Sequence, residues 1–395
     1  MTRTERLLSE LIALPSVNPA FATAEGTASR PEQFGEKKVA EFLVTVAARA
    51  GLDIELQPVL PNRPNMIARL RPAGDIRRTI LLAPYLDTVV AAESQFSPRR
   101  KNGRMYGRGA CDTKGSVAAM LTALCELAES RTRPRETEII FAGLVDEENG
   151  QAGSWALVEK PSSLSSLFQK KCDRQNDCPT LAIVGEPTRL QVVTAHKGSL
   201  WMQLTTRGKA AHGATPHLGK NAVLEMAGIV EFLEKDYAKQ LRRRRHPLLG
   251  AATVNVGTIH GGRQPNIVPD RCTISIDRRT LPGETPGGVE REIRVLLKTQ
   301  KLSATIESAK LAPAPALETN RQLPLVREFI RSVGQSRPVG VDYFCDASVL
   351  SAGGIPSVVF GPGDIAQAHT ADEWISLSAL ELGKNHLLKF LKSLS

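Results

Sequence analysis

Short apolar runs alternate with amphipathic helical segments at both ends of the chain, and this alternation limits the fold more than any other feature. Leu7, Leu8, Leu11 and Leu14 share one helical face, as do Val39, Phe42, Leu43 and Val46. Residues 79–83, 138–145 and 181–184 are, after Thr79 and Glu138 at their starts, runs of apolar residues rather than alternating, which predicts strands covered on both faces. Between the first two, residues 114–128 carry a helix through Val117, Met120, Leu121 and Leu124. Apolar strands interleaved with helices predict an α/β domain with a largely covered sheet.

The middle of the chain changes character. Residues 199–206, 253–259 and 271–277 alternate like half-exposed strands, and residues 221–233 and 286–297 are amphipathic helices. With residues 304–307 as a last strand, the order is strand, helix, strand, strand, helix, strand, which predicts a small antiparallel ferredoxin-like layer. Helix and buried strand then resume at 323–333, 358–360 and 377–394. The expected organisation is one domain from residues 1–198 and 308–395, interrupted by a smaller one over 199–307. A chain of 395 residues is long enough for both.

Composition excludes several alternatives. The apolar runs are short, such as 139–145, well under the roughly 18 residues of a membrane span. Residues 1–10 are polar and lack the apolar core of a secretory signal, so a cytoplasmic location is expected. The six cysteines contain no Cys-x-x-Cys pair, which argues against a thiolate zinc site. Cys172 and Cys178 lie in the polar stretch 160–179, read as a surface excursion, and a disulfide between them is disfavoured in a cytosolic chain. The formal charge of +10 permits anionic partners, yet the densest run, Arg242 to Arg245, follows an amphipathic helix and has no interleaved aromatics. It reads as a solvated loop, and neither nucleic acid nor membrane is an expected partner.

Polar clusters follow the predicted strands, where an open α/β sheet presents its functional groups. Tyr85-Leu86-Asp87 follows the first, Asp146-Glu147-Glu148 the second and Gly185-Glu186-Pro187 the third. Gly107 to Asp112 opens the helix at Lys114, and His369 follows a glycine-rich loop. Clustered carboxylates repel one another unless a cation neutralises them, and oxygen and imidazole ligands suit zinc, cobalt or manganese. Spacing alone leaves a second account open, in which Asp112 caps its helix and Glu147 and Glu148 form a solvated turn. The dinucleotide fingerprint lacks its third glycine, and neither a Gly-x-Ser-x-Gly elbow nor a His-Glu-x-x-His helix is present.

Taken in order, the motifs resemble those of a known family. They are Leu86-Asp87-Thr88-Val89, Gly107-Arg108-Gly109 with Asp112-x-Lys114-Gly115, Asp146-Glu147-Glu148 with Gly150, and Gly185-Glu186-Pro187-Thr188. Ala195-His196-Lys197-Gly198, His212 before Pro216, and Ile259-His260-Gly261-Gly262 follow. Asn266, Asp277, Pro282-Gly283, Gly361-Pro362-Gly363, Gln367-Ala368-His369 and Asp372-Glu373 complete the series. The chain is similar over nearly its whole length to the dinuclear zinc peptidases and deacylases that include acetylornithine deacetylase, succinyl-diaminopimelate desuccinylase, aminoacylase and glutamate carboxypeptidase. Residues 342–347 and 259–262 are most similar to the acetylornithine deacetylases.

The resemblance implies a zinc-exopeptidase-like sheet with an inserted dimerisation or lid domain, and up to two Zn2+ per protomer, with Co2+ as a substitute. It implies that Asp112 bridges the metals, that Glu148 and His369 complete one site, and that Glu186 and the residue at position 85 complete the other. Glu147 would be general base and acid, and Asp87 would orient a ligating imidazole. His212 would reach a neighbouring protomer's site and polarise the scissile carbonyl. Asn266 and Arg279, or its neighbour Arg278, would bind the substrate carboxylate. His196, His217, His260 and His386 are assigned to structure or surface, and Lys114 and Gly115 to the shape of their turn. A homodimer acting on an N-acyl amino acid or short peptide is the expectation, acetylornithine first, then succinyl-diaminopimelate or dipeptides.

The departure from the family is Tyr85, where it has histidine. A neutral phenol with a reference pKa of about 10 is a poor zinc ligand. The chain is then a one-metal enzyme, an inactive relative that binds ligands in the same cleft, or an active enzyme carrying an introduced change.

Overall fold

A computed structural model of the chain describes residues 1–22, 31–130, 132–159, 180–309 and 314–394. The stretch 160–179, with Cys172 and Cys178, lies outside the described residues. The chain forms two compact units. One comprises Met1–Thr194, Thr319–Val339 and Cys345–Ser395, and the other Ala195–Glu318 with Gly340–Phe344.

The first unit is built on a mixed sheet. Its strands run in the order Asp53–Leu60, Arg63–Leu70, Thr137–Gly143, Arg78–Ala83, Thr180–Val184 and Ser357–Val359. The last four of these are mutually parallel, and the Asp53–Leu70 hairpin adds antiparallel to their edge. The parallel strands are buried along nearly their whole lengths, as the uninterrupted apolar runs predict. The Lys114–Glu129 helix is almost wholly buried among the Arg3–Ile12 and Leu377–Ser393 helices. At its start Lys114 is fully buried and donates to the carbonyls of Leu11 at 2.9 Å and Leu14 at 2.6 Å. These carbonyls lie at and just beyond the C-terminal end of the Arg3–Ile12 helix, and the Leu11 carbonyl also accepts the Leu14 amide at 3.2 Å. Burial lowers the Lys114 pKa to about 7. Its bonds make it a tie between two helices, in keeping with a shaping role. Among the described residues no helix is long and apolar enough to cross a membrane.

The second unit carries a four-stranded antiparallel sheet in the order Thr253–Gly261, Arg271–Thr280, Gly198–Arg207, Thr305–Ser308. Alternate residues of Arg271–Thr280 are buried, and Cys272, Ile274 and Ile276 join a core with Met226 and Ile229 of one helix and Val289, Ile293 and Leu297 of the other. Strand and helix order and the sheet connectivity are those of a ferredoxin-like layer.

His196 is fully buried in this unit, with Nδ1 2.8 Å from the Lys197 carbonyl oxygen and Nε2 without a partner among the described residues. Burial lowers its pKa to about 4. Below an unfolded pKa of about 6.5 the unfolded chain takes a proton that the folded chain refuses, so stability is full above that pH and falls toward pH 4. The loss from this group is roughly 3 kcal/mol. Denaturant unfolding at pH 7 and pH 4.5 checks it: His196→Gln should lose less stability over that interval than wild type. Equal losses would remove His196 as a source of acid sensitivity.

Candidate metal centre

The parallel strands deliver the acidic clusters to one edge. Tyr85 to Asp87 follow Arg78–Ala83, Asp146 to Glu148 follow Thr137–Gly143, and Glu186 follows Thr180–Val184. The loop after Ser357–Val359 leads to His369. Tyr85 and Leu144 pair across the first two of these extensions, with Leu86 N 2.8 Å from the Leu144 carbonyl and Leu144 N 2.9 Å from the Pro84 carbonyl. Thr188 and Gly361 lace the other two together, since the Gly361 amide donates to Thr188 Oγ1 at 3.1 Å. A Cβ on Gly361 would come within 2.5 Å of the Glu186 carbonyl oxygen, so this close approach requires glycine.

Asp112 comes from a different direction. Its loop, Gly107 to Thr113, wraps around the buried carboxylate of Glu373. That carboxylate accepts the amides of Gly109 at 3.0 Å, Cys111 at 2.7 Å and Asp112 at 2.9 Å, and pairs with Arg108 at 2.8 Å. Glu373 is placed there because Trp374–Ser376 pairs with Arg104–Tyr106 in a small sheet. Gly109 takes a left-handed φ of 82°, and a Cβ there would meet the Lys114 side chain at 2.8 Å. The Lys114 helix is preceded by Thr113 with no side-chain cap, so Asp112 does not spend its carboxylate on the helix. Glu147 is buried and the Glu148 side chain is only 8% exposed, so these acids do not form a solvated turn.

Three donors converge. Ligand atoms of Asp112, Glu148 and His369 all lie within 4.8 Å of one another. His369 Nε2 sits 3.3 Å from Asp112 Oδ2 and 3.3 Å from Glu148 Oε2. His369 is exposed, whereas the carboxylate side chains of Asp112 and Glu148 are largely covered, so its imidazole forms the solvent side of the group. Its backbone is left-handed, at φ 62°, a conformation over-represented at functional sites. Asp112 and then Glu148 raise its pKa to about 10, while burial, aided by Asp112, lifts Glu148 to about 7 against the pull of His369. Burial and then neighbouring acids also push Glu147 and Glu186 well above the usual carboxylate range. The arginines relieve this crowding only in part: Arg108 lowers the Glu148 pKa but is paired with Glu373, and Arg63 is paired with Glu36 and Asp146. A cluster of acids short of positive charge, with one imidazole and no thiolate ligand, fits a divalent ion of the zinc, cobalt or manganese kind.

Position 85 is built differently. Tyr85 is 2% exposed, and its hydroxyl donates to Asp112 Oδ1. Burial, then Asp112, Glu186, Glu148 and Glu147, hold its proton on well above the usual phenol range. Among the described residues no imidazole bonds Asp87. Its Oδ1 accepts the amide of Glu147 at 3.0 Å, and its Oδ2 accepts the amide of Glu148 at 3.1 Å and Asn18 Nδ2 at 2.7 Å. It fixes the backbone of the two glutamates. Asn18 also donates to Asp146 Oδ1, which joins the Arg63–Glu36 pair.

Sequence reasoning assigned no role to Glu373, Asn18, Arg63 or Asp346. Asp346 is buried, accepting Ser154 Oγ at 2.7 Å and Gln151 Nε2 at 3.3 Å, and burial lifts its pKa to about 7. Two of the four carried a signal: Glu373 closes the motif series in Asp372-Glu373, and Asp346 lies in the run 342–347.

The remaining candidates lie in the second unit. His212 and Asn266 are neighbours, with the Gly213 amide 2.8 Å from the Asn266 carbonyl. The His212 Nδ1 accepts the Ala214 amide at 3.1 Å, which in the neutral ring leaves the proton on Nε2 as an exposed donor. Arg279 is half-buried and pairs with Asp277 at 2.9 Å, whereas Arg278 is fully buried against Tyr237 and Glu284. Of the two, Arg279 is the one with accessible surface.

A model of peptidase family M20/M25/M40 matches residues 85–393. The chain belongs to this family. Membership places it among the metal-dependent amide hydrolases. It is 30% identical to an acetylornithine deacetylase of Vibrio campbellii over 88% of this chain and 89% of that one. In structure it is similar to an aminopeptidase of Bacillus cereus, at TM-score 0.75 and 21% identity over 99% and 98% of the two chains. A Bacillus subtilis protein described as a dinuclear metal binding peptidase of the same family gives TM-score 0.68 at 12% identity, covering 99% and 97%.

Proposed function

We propose that the chain hydrolyses the amide of an N-acyl amino acid, acetylornithine being the first substrate to try, with a divalent metal held by Asp112, Glu148 and His369. The observation that carries this is the convergence of those three donors beside buried Glu147. Bound there, the ion supplies Lewis acidity and lowers the pKa of water from 15.7 towards about 7. Glu147 takes the proton of the attacking water on its carboxylate and returns it to the leaving amine nitrogen. The Asp87 carboxylate holds the Glu147 and Glu148 amides, which fixes the base relative to the ligand beside it. His212 donates from Nε2 to the scissile carbonyl of a neighbouring protomer's substrate, and Asn266 and Arg279 bind the substrate carboxylate. A homodimer through the second unit is part of this reading. Exposed Ile259 on the edge strand Thr253–Gly261 and exposed Leu224 support it. Tyr85 lowers turnover relative to a histidine there.

Hydrolysis of N-acetylornithine by the zinc- or cobalt-loaded chain tests the reading, with Tyr85→His alongside. Turnover is expected in both, faster in Tyr85→His, and abolished by a chelator, which also lowers thermal stability because the ion binds only the folded state. Turnover that survives complete metal removal would sink the metal mechanism. No turnover by either chain across acetyl and succinyl amino acids and dipeptides would favour a ligand-binding relative.

A further inference from the structure

The two oxygens of Asp112 face different partners. Oδ2 lies 3.3 Å from His369 Nε2, within the three-donor group, while Oδ1 accepts the hydroxyl of Tyr85. A carboxylate that bridges two ions turns one oxygen to each, and here Oδ1 faces a buried phenol proton instead. A second ion would also need its own ligands. Among the described residues, Asp112, Glu148 and His369 are the one such group gathered, and Glu186 is outside it.

The phenol is built in rather than tolerated. Its backbone is pinned on both sides through Leu144, and its ring is buried. Asp87, two residues on, accepts Asn18 Nδ2 and the amides of Glu147 and Glu148, so both its oxygens are engaged without an imidazole. A ring of this length ending on Asp112 fills the space on that side of the aspartate.

We propose that this chain holds one divalent ion, on Asp112, Glu148 and His369, and that the Tyr85 phenol takes the place of a second. The proposal rests on the reading of those three residues as metal ligands. It sets the chain apart from the Bacillus subtilis relative described as dinuclear.

Metal content separates the alternatives. The full chain is loaded with excess zinc, freed of unbound metal and analysed by mass spectrometry for zinc per chain, and cobalt loading is followed in the ultraviolet. One ion is expected in wild type, none in His369→Ala and two in Tyr85→His, with no tyrosinate band on loading. Two ions in wild type would overturn the proposal while leaving the metal centre standing. A tyrosinate band would overturn it by making Tyr85 a ligand. One ion in a folded Tyr85→His would show that the phenol is not what excludes the second. No ion in wild type would overturn the metal centre itself, and the proposal with it. Should Tyr85→His not fold, the wild-type count and the tyrosinate signal still decide.

Discussion

Glu147→Gln lowers the turnover number for an N-acyl amino acid by about 10²–10⁴-fold, the usual worth of a positioned proton-transfer group, with KM and metal content close to wild type. The substitution keeps the size of the side chain and removes its ability to take a proton. The backbone anchor is unaffected, since Asp87 binds the amide of residue 147 and not its side chain. Glu147 stands outside the three-donor group, so its loss leaves Asp112, Glu148 and His369 in place. Steady-state kinetics and metal analysis on the same preparation check this. An unchanged turnover number would move the base elsewhere, with buried Asp346 the next carboxylate to test. A fall in metal content parallel to the fall in rate would make Glu147 a ligand.

The parts of this site legible in the sequence are those that follow a repeating local rule. An uninterrupted apolar strand ends, and polar residues follow it. Applied to residues 79–83, 138–145 and 181–184, the rule locates Tyr85, Asp87, Glu147, Glu148 and Glu186, which the parallel sheet then brings to one edge. The Asp53–Leu70 hairpin escaped it. Its first strand has a single buried position and its second contains proline, so neither shows a clean period. The supports of the site escaped for another reason. Glu373 is 261 residues from the Asp112 amide it binds, and Arg63 is 83 from Asp146. No local pattern in a sequence reports a partner at such separation. The anchoring of Asp87 is not legible for a related reason: two of its partners are backbone amides, which any residue type supplies, and the third, Asn18, is 69 residues away. The inward-facing member of the Arg278–Arg279 pair follows from strand alternation only once the register is known.

Glu373→Ala should be the most destabilising single change near the site. Its carboxylate is fully buried, and it neutralises Arg108, itself 5% exposed, while accepting three consecutive-loop amides. Removing one partner of a buried pair typically costs about 3–5 kcal/mol, because the other charge is left without compensation. Three orphaned amides add to this in the same direction. For a unit of this size the thermal midpoint should fall on the order of 10 °C. The two contributions can be told apart. Arg108→Met in the Glu373→Ala background removes the stranded charge but restores no acceptor. If the charge dominates, the double variant recovers most of the loss. If the amides dominate, it stays as unstable as the single variant, and the Gly107 to Thr113 loop releases Asp112. The second outcome also predicts weaker zinc binding in both variants, since Asp112 is the ligand that this loop carries. A Glu373→Ala chain that melts within about 2 °C of wild type would show that water replaces the carboxylate without cost, and that Glu373 does not hold the metal-binding loop in place.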